Sequence, residues 1–264
     1  GSLVAIIETD GDRSDQARRD FPNVLINCTG SDYDATAIAT PPETHYQVAR
    51  QVLLAGKDVF IEKPMTTSYR EALELTELAE GKGLNLMVGH IYLHNRGIQR
   101  IPIPVGKAEL YVQLLNEGEG PSPSTVDSLW AGIPHACSLA LHFFPDKPTS
   151  VKVKREGDRI RVAVHYWNGS MAFFDVGNNT GRRLRRVELR EVDCRYMFDA
   201  AEPDITVFLD GAGKRVAKSE IAEEPLMTEC STFLKYKGVD PMGLKVMGLI
   251  DRIQREVGRE NDTP

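Results

Sequence analysis

The stretch ATAIATPPETHYQVARQVLLAGKDVFIEKP (residues 35–64) decides how this chain is read. Residues 35–39 are a short apolar run closed by Pro41 and Pro42, as a strand buried on both faces would be. From 43 to 56 the period changes. Val48, Val52 and Leu53 fall on one face and Gly56 ends the segment, which predicts a helix. Residues 58–61, DVFI, return to a short apolar run. A strand, a helix and a second strand in this order form a βαβ unit with parallel strands.

The same rhythm continues on both sides. LVAII (3–7) and VLINC (24–28) read as strands separated by a helix rich in Arg and Asp. A helix is predicted over 67–81, carrying Ala72, Leu73, Leu75, Leu78 and Ala79, and LNLMVG (84–89) is another strand. Strands and helices alternating in this way give an α/β fold, a doubly wound parallel sheet of the Rossmann type. Such a sheet opens with a strand and a G-x-G-x-x-G turn. No such motif occurs in the sequence, so residues 1–92 are expected to form a dinucleotide-binding domain lacking its first βα unit.

Beyond about residue 105 the pattern is different. Runs at 107–115, 149–155, 159–167, 169–176, 185–192 and 205–211 alternate apolar and polar residues between turn residues. Helices are predicted over 224–237 and 242–257. Residues 93–264 therefore read as an α+β domain on a large open, mostly antiparallel sheet, serving substrate binding and oligomerisation.

Composition narrows the function. The chain has 264 residues, is 41% hydrophobic and carries a net charge of -6, a balance that suits neither nucleic acid nor an anionic membrane as partner. No apolar run approaches the roughly 20 residues of a membrane span, and no secretion signal opens the sequence, so a cytoplasmic protein is expected. Cys28, Cys137, Cys194 and Cys230 are widely spaced, which predicts buried free thiols rather than zinc ligands or disulfides. His90 and His94 stand four apart without an evident third ligand, so no metal is expected.

Ligands of open α/β sheets sit beyond the carboxyl ends of the strands. Thr40, Pro41, Glu62, Lys63 and His90 all fall there. A lysine in that position can hold a hydroxyl and favour the alkoxide that develops as hydride leaves. Glu8, at the end of the first strand, suits the adenosine-ribose hydroxyls and would repel the extra phosphate of NADP. Asp10 is the other candidate. Arg13 leaves NADP open, because a nearby arginine accommodates a 2′-phosphate. Arg182, Arg183, Arg185, Arg186 and Arg190 form a basic run, read either as an exposed strand with its turn or as a contact for substrate phosphates or a partner subunit.

Taken together, Ala39-Thr40-Pro41-Pro42-Glu43-Thr44-His45 and Ala55-Gly56-Lys57-Asp58-Val59-Phe60-Ile61-Glu62-Lys63-Pro64 resemble the signature of the Gfo/Idh/MocA oxidoreductase family. The resemblance continues through Val88-Gly89-His90 and resumes at Glu224-Pro225-Leu226 with Glu229 and Phe233. It implies NAD as cofactor, with NADP as the alternative, held by Glu8, Thr40, Pro41, Pro42, His45, Glu62 and Lys63. It implies a sugar substrate near His90, Tyr92, His94 and Asn95, and a homodimer or homotetramer built through the open sheet.

The segment Leu129-Trp130-Ala131-Gly132-Ile133-Pro134-His135-Ala136 resembles the branch of nucleotide-sugar uronate 3-dehydrogenases, whose pattern runs Leu-Trp-Asp-x-x-Pro-His-Asp. His135 matches its catalytic histidine, a general base beside Lys63. Ala131 and Ala136 replace the two aspartates of that pattern, and Asp127 is one carboxylate that would substitute. The resemblance thus implies an NAD(P)-dependent enzyme oxidising a secondary alcohol of a sugar. The missing aspartates support an alternative, a non-catalytic sensor or scaffold that binds dinucleotide or sugar. An inositol, dihydrodiol or imine is the remaining substrate alternative.

Overall fold

A computed structural model describes residues 2–27, 33–118, 131–178, 180–200, 202–209, 212–216 and 224–261. Two short strands, β1 (Ala5–Ile6) and β2 (Leu25–Ile26), pair in parallel around helix α1 (Gly11–Asp20). Asp10 caps α1, its carboxylate accepting from the Arg13 N–H at 2.9 Å. A three-stranded parallel sheet follows, in the order β3 (Ala35–Ile38), β4 (Asp58–Glu62), β5 (Leu86–Gly89). Helix α2 (Pro42–Leu54) joins the first two strands and α3 (Tyr69–Lys82) the next two. Pro42 at its first position suits α2, because that N–H needs no helical partner. Ser68 caps α3, and Gly83 ends it at φ 66°. Among the described residues the two parallel sheets share no backbone pairing, and LVAII is a two-residue strand.

After a 3-10 turn (Ile91–His94) and the short helix α4 (Arg96–Gln99), β6 (Glu109–Leu115) enters an eight-stranded sheet. Its companions are β7 (Pro148–Glu156), β8 (Arg159–Tyr166), β9 (Met171–Gly177), β10 (Leu184–Arg190), β11 (Cys194–Asp199), β12 (Glu202–Leu209) and β13 (Ala212–Val216), in the order β13-β12-β11-β10-β6-β9-β8-β7. Every pairing is antiparallel except β6 with β9. Helix α5 (Ile133–Phe143) packs on the inner face of this sheet.

The last helices are α6 (Pro225–Lys235) and α7 (Pro241–Asn261). α7 packs against α3 and β5 on one side and α5 and β7 on the other, so one apolar core runs through both sheets. Just before α7 the chain extends the free edge of β5. The Leu86 N–H donates to the Gly238 carbonyl at 3.1 Å, and the Asp240 N–H to the Leu86 carbonyl at 2.8 Å. The Gly238 N–H donates to Asn85 Oδ1 at 2.7 Å.

The cysteines depart from expectation. Cys137 is buried, but Cys194 is half-buried and Cys230 exposed, all three free, while Cys28 lies outside the described residues. Cys230 is on α6 and Cys194 begins β11, an element whose residues are mostly only half-buried. No helix of the described residues is long and apolar enough to cross a membrane.

Candidate functional site

The carboxyl ends of β3, β4 and β5 present Thr40, Glu62 and His90 side by side. At the first of them, Thr44 Oγ1 lies 2.7 Å from Thr40 Oγ1 and 2.8 Å from the Pro41 carbonyl oxygen, closing the turn into α2. His45 is buried, with one ring nitrogen 2.8 Å from the Thr40 carbonyl oxygen and the other 2.8 Å from that of Pro64. It ties the ends of β3 and β4 together and leaves no ring nitrogen facing open space. Of the residues assigned to the cofactor, His45 is therefore a strut for the turns.

Glu62 has room because Gly89 faces it. A Cβ on Gly89 would lie 3.1 Å from the Phe60 ring and 3.2 Å from Glu62 Oε1. The Lys63 N–H donates to Glu62 Oε2 at 3.2 Å, and the Lys63–Pro64 peptide is cis. The Lys63 side chain leaves its own sheet and donates from Nζ to the Ala131 carbonyl at 3.2 Å, immediately before α5. Burial holds the Lys63 ammonium below its ordinary pKa, against the opposing pull of Glu62.

α5 begins here because Gly132 allows close approach. A Cβ at Gly132 would sit 2.6 Å from Val176 Cγ1 and 3.7 Å from Leu114 Cβ. His135, in the first turn of α5, meets the Tyr92 ring edge-on, with centroids 5.0 Å apart. Its Nδ1 is buried without a hydrogen-bond partner among the described residues. Burial keeps the imidazole well below its ordinary pKa, and the charges of Lys63, His90 and Arg185 reinforce this. A neutral imidazole can accept a proton. His90 is buried too, with neither ring nitrogen partnered among the described residues. Burial, then His94 and Lys63, lower its pKa to about 3.

His94 closes the 3-10 turn, and its Nε2 lies 3.9 Å from Glu229 Oε1 of α6. Glu229 is fully buried, and neither carboxylate oxygen has a hydrogen-bond partner among the described residues. Burial, then the charge of Glu62, raise its pKa to about 7. Asn95 caps α4, its side-chain oxygen accepting from the Gly97 N–H at 2.8 Å, so that oxygen is engaged in the fold.

Lys63, His90, Tyr92 and His135 thus cluster between the parallel sheet and α5, with His94 and Glu229 beside them. Glu8 lies apart, at the end of β1. Its Oε1 accepts the Asp10 N–H at 2.9 Å, while the Asp10 carboxylate serves as the α1 cap. Asp127 lies outside the described residues, so Ala131 has no described carboxylate in its place. Glu229 enters the sequence reading only as part of the family resemblance, and Arg185 only as one member of a basic run. A carboxylate on the packed side of an amphipathic helix was the signal for the first, and an arginine on the apolar side of an alternating strand for the second.

Residues 2–90 match the Gfo/Idh/MocA family, described as an oxidoreductase family with an NAD-binding Rossmann fold. An uncharacterised oxidoreductase of Schizosaccharomyces pombe is 43% identical over 79 residues, 28% of this chain and 21% of that protein. The UDP-N-acetylglucosamine 3-dehydrogenase of Acidithiobacillus ferrooxidans is 38% identical over 202 residues, 74% of this chain and 64% of that protein. The chain thus spans about a fifth of the first relative and less than two thirds of the second. The crystal structure of that dehydrogenase superposes with a TM-score of 0.84 over 96% of this chain and 89% of its own. Identity in the superposition is 20%. KijD10, a 3-ketoreductase from Actinomadura kijaniata solved with TDP-benzene and NADP, superposes at 0.82 with 18% identity over 96% of this chain and 88% of its own. At these identities the likeness is one of fold.

Proposed function

We propose, from the match of residues 2–90 to the Gfo/Idh/MocA oxidoreductase family with its NAD-binding Rossmann fold, that these residues bind a dinucleotide and that the protein moves a hydride between a nicotinamide cofactor and a secondary alcohol of a sugar. The contact between Lys63 Nζ and the Ala131 carbonyl carries this reading, because it brings the strand-end lysine beside the helix that bears His135. Lys63 would hold the reacting hydroxyl and stabilise the alkoxide. His135, kept neutral by burial, would take its proton. When bound, the nicotinamide supplies the hydride acceptor. The unpartnered nitrogens of His90 and His135 offer polar groups for the ligands to meet.

The remaining assignments follow from the same reading. Thr40, Pro41, Pro42, Glu62 and Lys63 line the cofactor end, and His90, Tyr92, His94 and Asn95 the substrate end. NAD is the preferred cofactor on the strength of Glu8, with NADP as alternative. One relative is named a UDP-N-acetylglucosamine 3-dehydrogenase, and a 3-ketoreductase of similar fold was solved with TDP-benzene, which makes a nucleotide sugar the first substrate to try. The unit over 1–92 would hold the cofactor and that over 93–264 the substrate. Self-association through the open sheet is supported by its outer face, where Tyr111 stacks on Phe173 at 4.9 Å in a shallow concavity of about 350 Å³ remote from Lys63. The reducing cytoplasm, where nicotinamide cofactors and free thiols are at home, is the proposed location.

A second reading, a sensor or scaffold that binds without catalysing, is favoured by the unpartnered Nδ1 of His135, which in a working base is normally oriented by a carboxylate. Titration with NADH and with NADPH, followed by nicotinamide fluorescence, and then a turnover screen of nucleotide sugars separate the two. Saturable NADH binding with turnover supports the enzyme. Binding without turnover on any sugar supports the scaffold, and binding of neither cofactor overturns the enzyme and leaves the scaffold as the better reading.

A further inference from the structure

Glu229 is the acidic residue of α6, PLMTECSTFLK, and the helix turns it inward. Its side chain is fully buried, while the adjacent Thr228 is half-buried and Cys230 exposed. α6 packs there on the 3-10 turn Ile91–His94, which brings Glu229 Oε1 to 3.9 Å from His94 Nε2. The His94 side chain keeps 14% of its surface exposed. The two side chains are thus closed to water at the carboxyl and open to it at the imidazole edge.

The groups that face this carboxyl come from four elements. Glu62 at the end of β4 repels its charge, His90 after β5 turns its backbone N–H toward it, His94 comes from the 3-10 turn, and Cys230 from α6 itself. None carries a fixed positive charge. A buried carboxylate without a cation is costly, and two arrangements relieve it. The carboxyl keeps a proton, or His94 becomes imidazolium and answers the charge. In both, the two groups hold one proton between them. Burial raises the Glu229 carboxyl to about 7 and lowers the His94 imidazole below its ordinary value, so this proton comes and goes near neutral pH.

The two groups stand beside the proposed base. His90 feels the charges of His94 and Lys63, and His135 feels that of His90, which puts His90 between His135 and His94. Burial holds the His135 and His90 imidazoles well below their ordinary pKa. A base held so low keeps a proton only briefly and must hand it on. The Glu229 carboxylate is able to keep it near neutral pH.

We propose that His94 and Glu229 share one proton, and that this pair receives, by way of His90, the proton that His135 takes from the reacting hydroxyl. The inference rests on the sugar oxidoreductase reading. In that reaction the C–H bond breaks with its electron pair, which passes as hydride to the oxidised nicotinamide. The O–H bond breaks with its proton going to His135, and the carbonyl forms. His90 has two ring nitrogens, so it accepts on one and releases from the other. The Glu229 carboxylate becomes the carboxylic acid, His135 returns to its neutral state, and the proton later leaves to water at the edge of His94. The separation of 3.9 Å closes with a small rotation, as proton-transfer contacts commonly tighten once ligands bind. Glu229 acts through His94 and is a positioning residue.

The test takes two readouts on the full-length protein, in wild type, Glu229→Gln, Glu229→Asp and His94→Leu. Infrared difference spectra between about pH 5 and pH 9, above the ordinary carboxyl range, follow the carbonyl stretch of protonated carboxyl groups. A band that disappears with a midpoint of about 7 and is missing in Glu229→Gln is expected. In His94→Leu the midpoint should move up, because the carboxylate loses its imidazolium partner. The second readout is the pH profile of kcat for alcohol oxidation with NAD. Glu229→Gln should lower kcat roughly tenfold or more at about pH 8, where the wild type offers a carboxylate, and far less at about pH 6, where that group is already protonated. KM should hold, and Glu229→Asp should recover part of the rate. A wild type without the band overturns the shared proton, as does a midpoint unmoved in His94→Leu. A kcat profile in Glu229→Gln that parallels the wild type overturns the transfer. If Glu229→Gln fails to fold, Glu229→Asp and His94→Leu decide by the same measures. Turnover without the band sinks the pair alone, and the band without turnover on any sugar sinks the oxidoreductase reading and the transfer with it.

Discussion

Lys63 and Ala131, 68 residues apart, are joined by a hydrogen bond of 3.2 Å from Nζ to the carbonyl oxygen. The bond links a strand end of the parallel sheet to the start of α5. It fixes where the ammonium stands relative to His135, and it does so through the backbone, whatever side chain occupies position 131.

Lys63→Met removes that bond and the positive charge while keeping the length of the chain. Turnover on a sugar accepted by the wild type should fall by about 10²–10³-fold, the typical cost of removing one donor to a developing oxyanion. The melting temperature should change little, since the lysine is half-buried at a cleft wall. Unchanged turnover would remove Lys63 from the mechanism.

Gly132→Ala drives a methyl group to 2.6 Å from Val176 Cγ1. Overpacking of this kind costs about 1–3 kcal/mol and displaces the first turn of α5, so chemical denaturation should show the loss and turnover should fall with it. Val176→Ala in the same molecule opens the space. The double variant should be more stable than the sum of the two single changes predicts.

Glu229 supplies a pH signature. Its carboxyl is raised to about 7 in the folded protein, chiefly by burial, against about 4.3 in an unfolded chain. The folded state therefore binds the extra proton between these values, and its stability is lost as pH rises from about 4.3 through about 7. Glu229→Gln deletes this slope. Denaturation midpoints should match the wild type at pH 4.5 and exceed it at pH 8, by an amount on the order of a few kcal/mol. A variant less stable at pH 8 would show the carboxylate to be a favourable charge.

His90 acts in the opposite sense. Its pKa is depressed to about 3, mainly by burial, so the unfolded chain takes up the proton first as pH falls. The stability it allows is present above about 6.5 and is lost on acidification below that value. His90→Gln should flatten the acid limb between pH 6.5 and 5, read by urea midpoints across that range. An unchanged limb would assign it to other groups, His135 first among them.

The βαβ core was legible because each strand there is a short apolar run and each helix keeps one apolar face. α2 and α3 fall within a residue or two of expectation for that reason. α5 carries the proposed base and gave no amphipathic signal, since nine of its eleven residues are buried and the apolar pattern is nearly continuous. β11 reads CRYMFD, which lacks β-branched residues, and it is held by its neighbours β10 and β12. In the site, strand-end position was enough to pick Lys63 and His90. The cap made by Asn95 and the strut made by His45 depend on partners that spacing does not reveal. Arg185 stands in a basic run in which Arg186 and Arg190 alternate to the opposite face of the strand.

The pairing of Leu86 with residues 238–240 bears on how the polypeptide is made. The edge of β5 is covered by backbone 153 positions further on, as the bond from Gly238 to Asn85 measures. On the ribosome, β3, β4 and β5 emerge early and wait with that edge bare while the whole eight-stranded sheet is synthesised. An exposed strand edge invites pairing with other chains. The nascent protein therefore passes through a long interval in which it needs a chaperone or a low concentration of its own kind, and the closing segment ends that interval when it arrives.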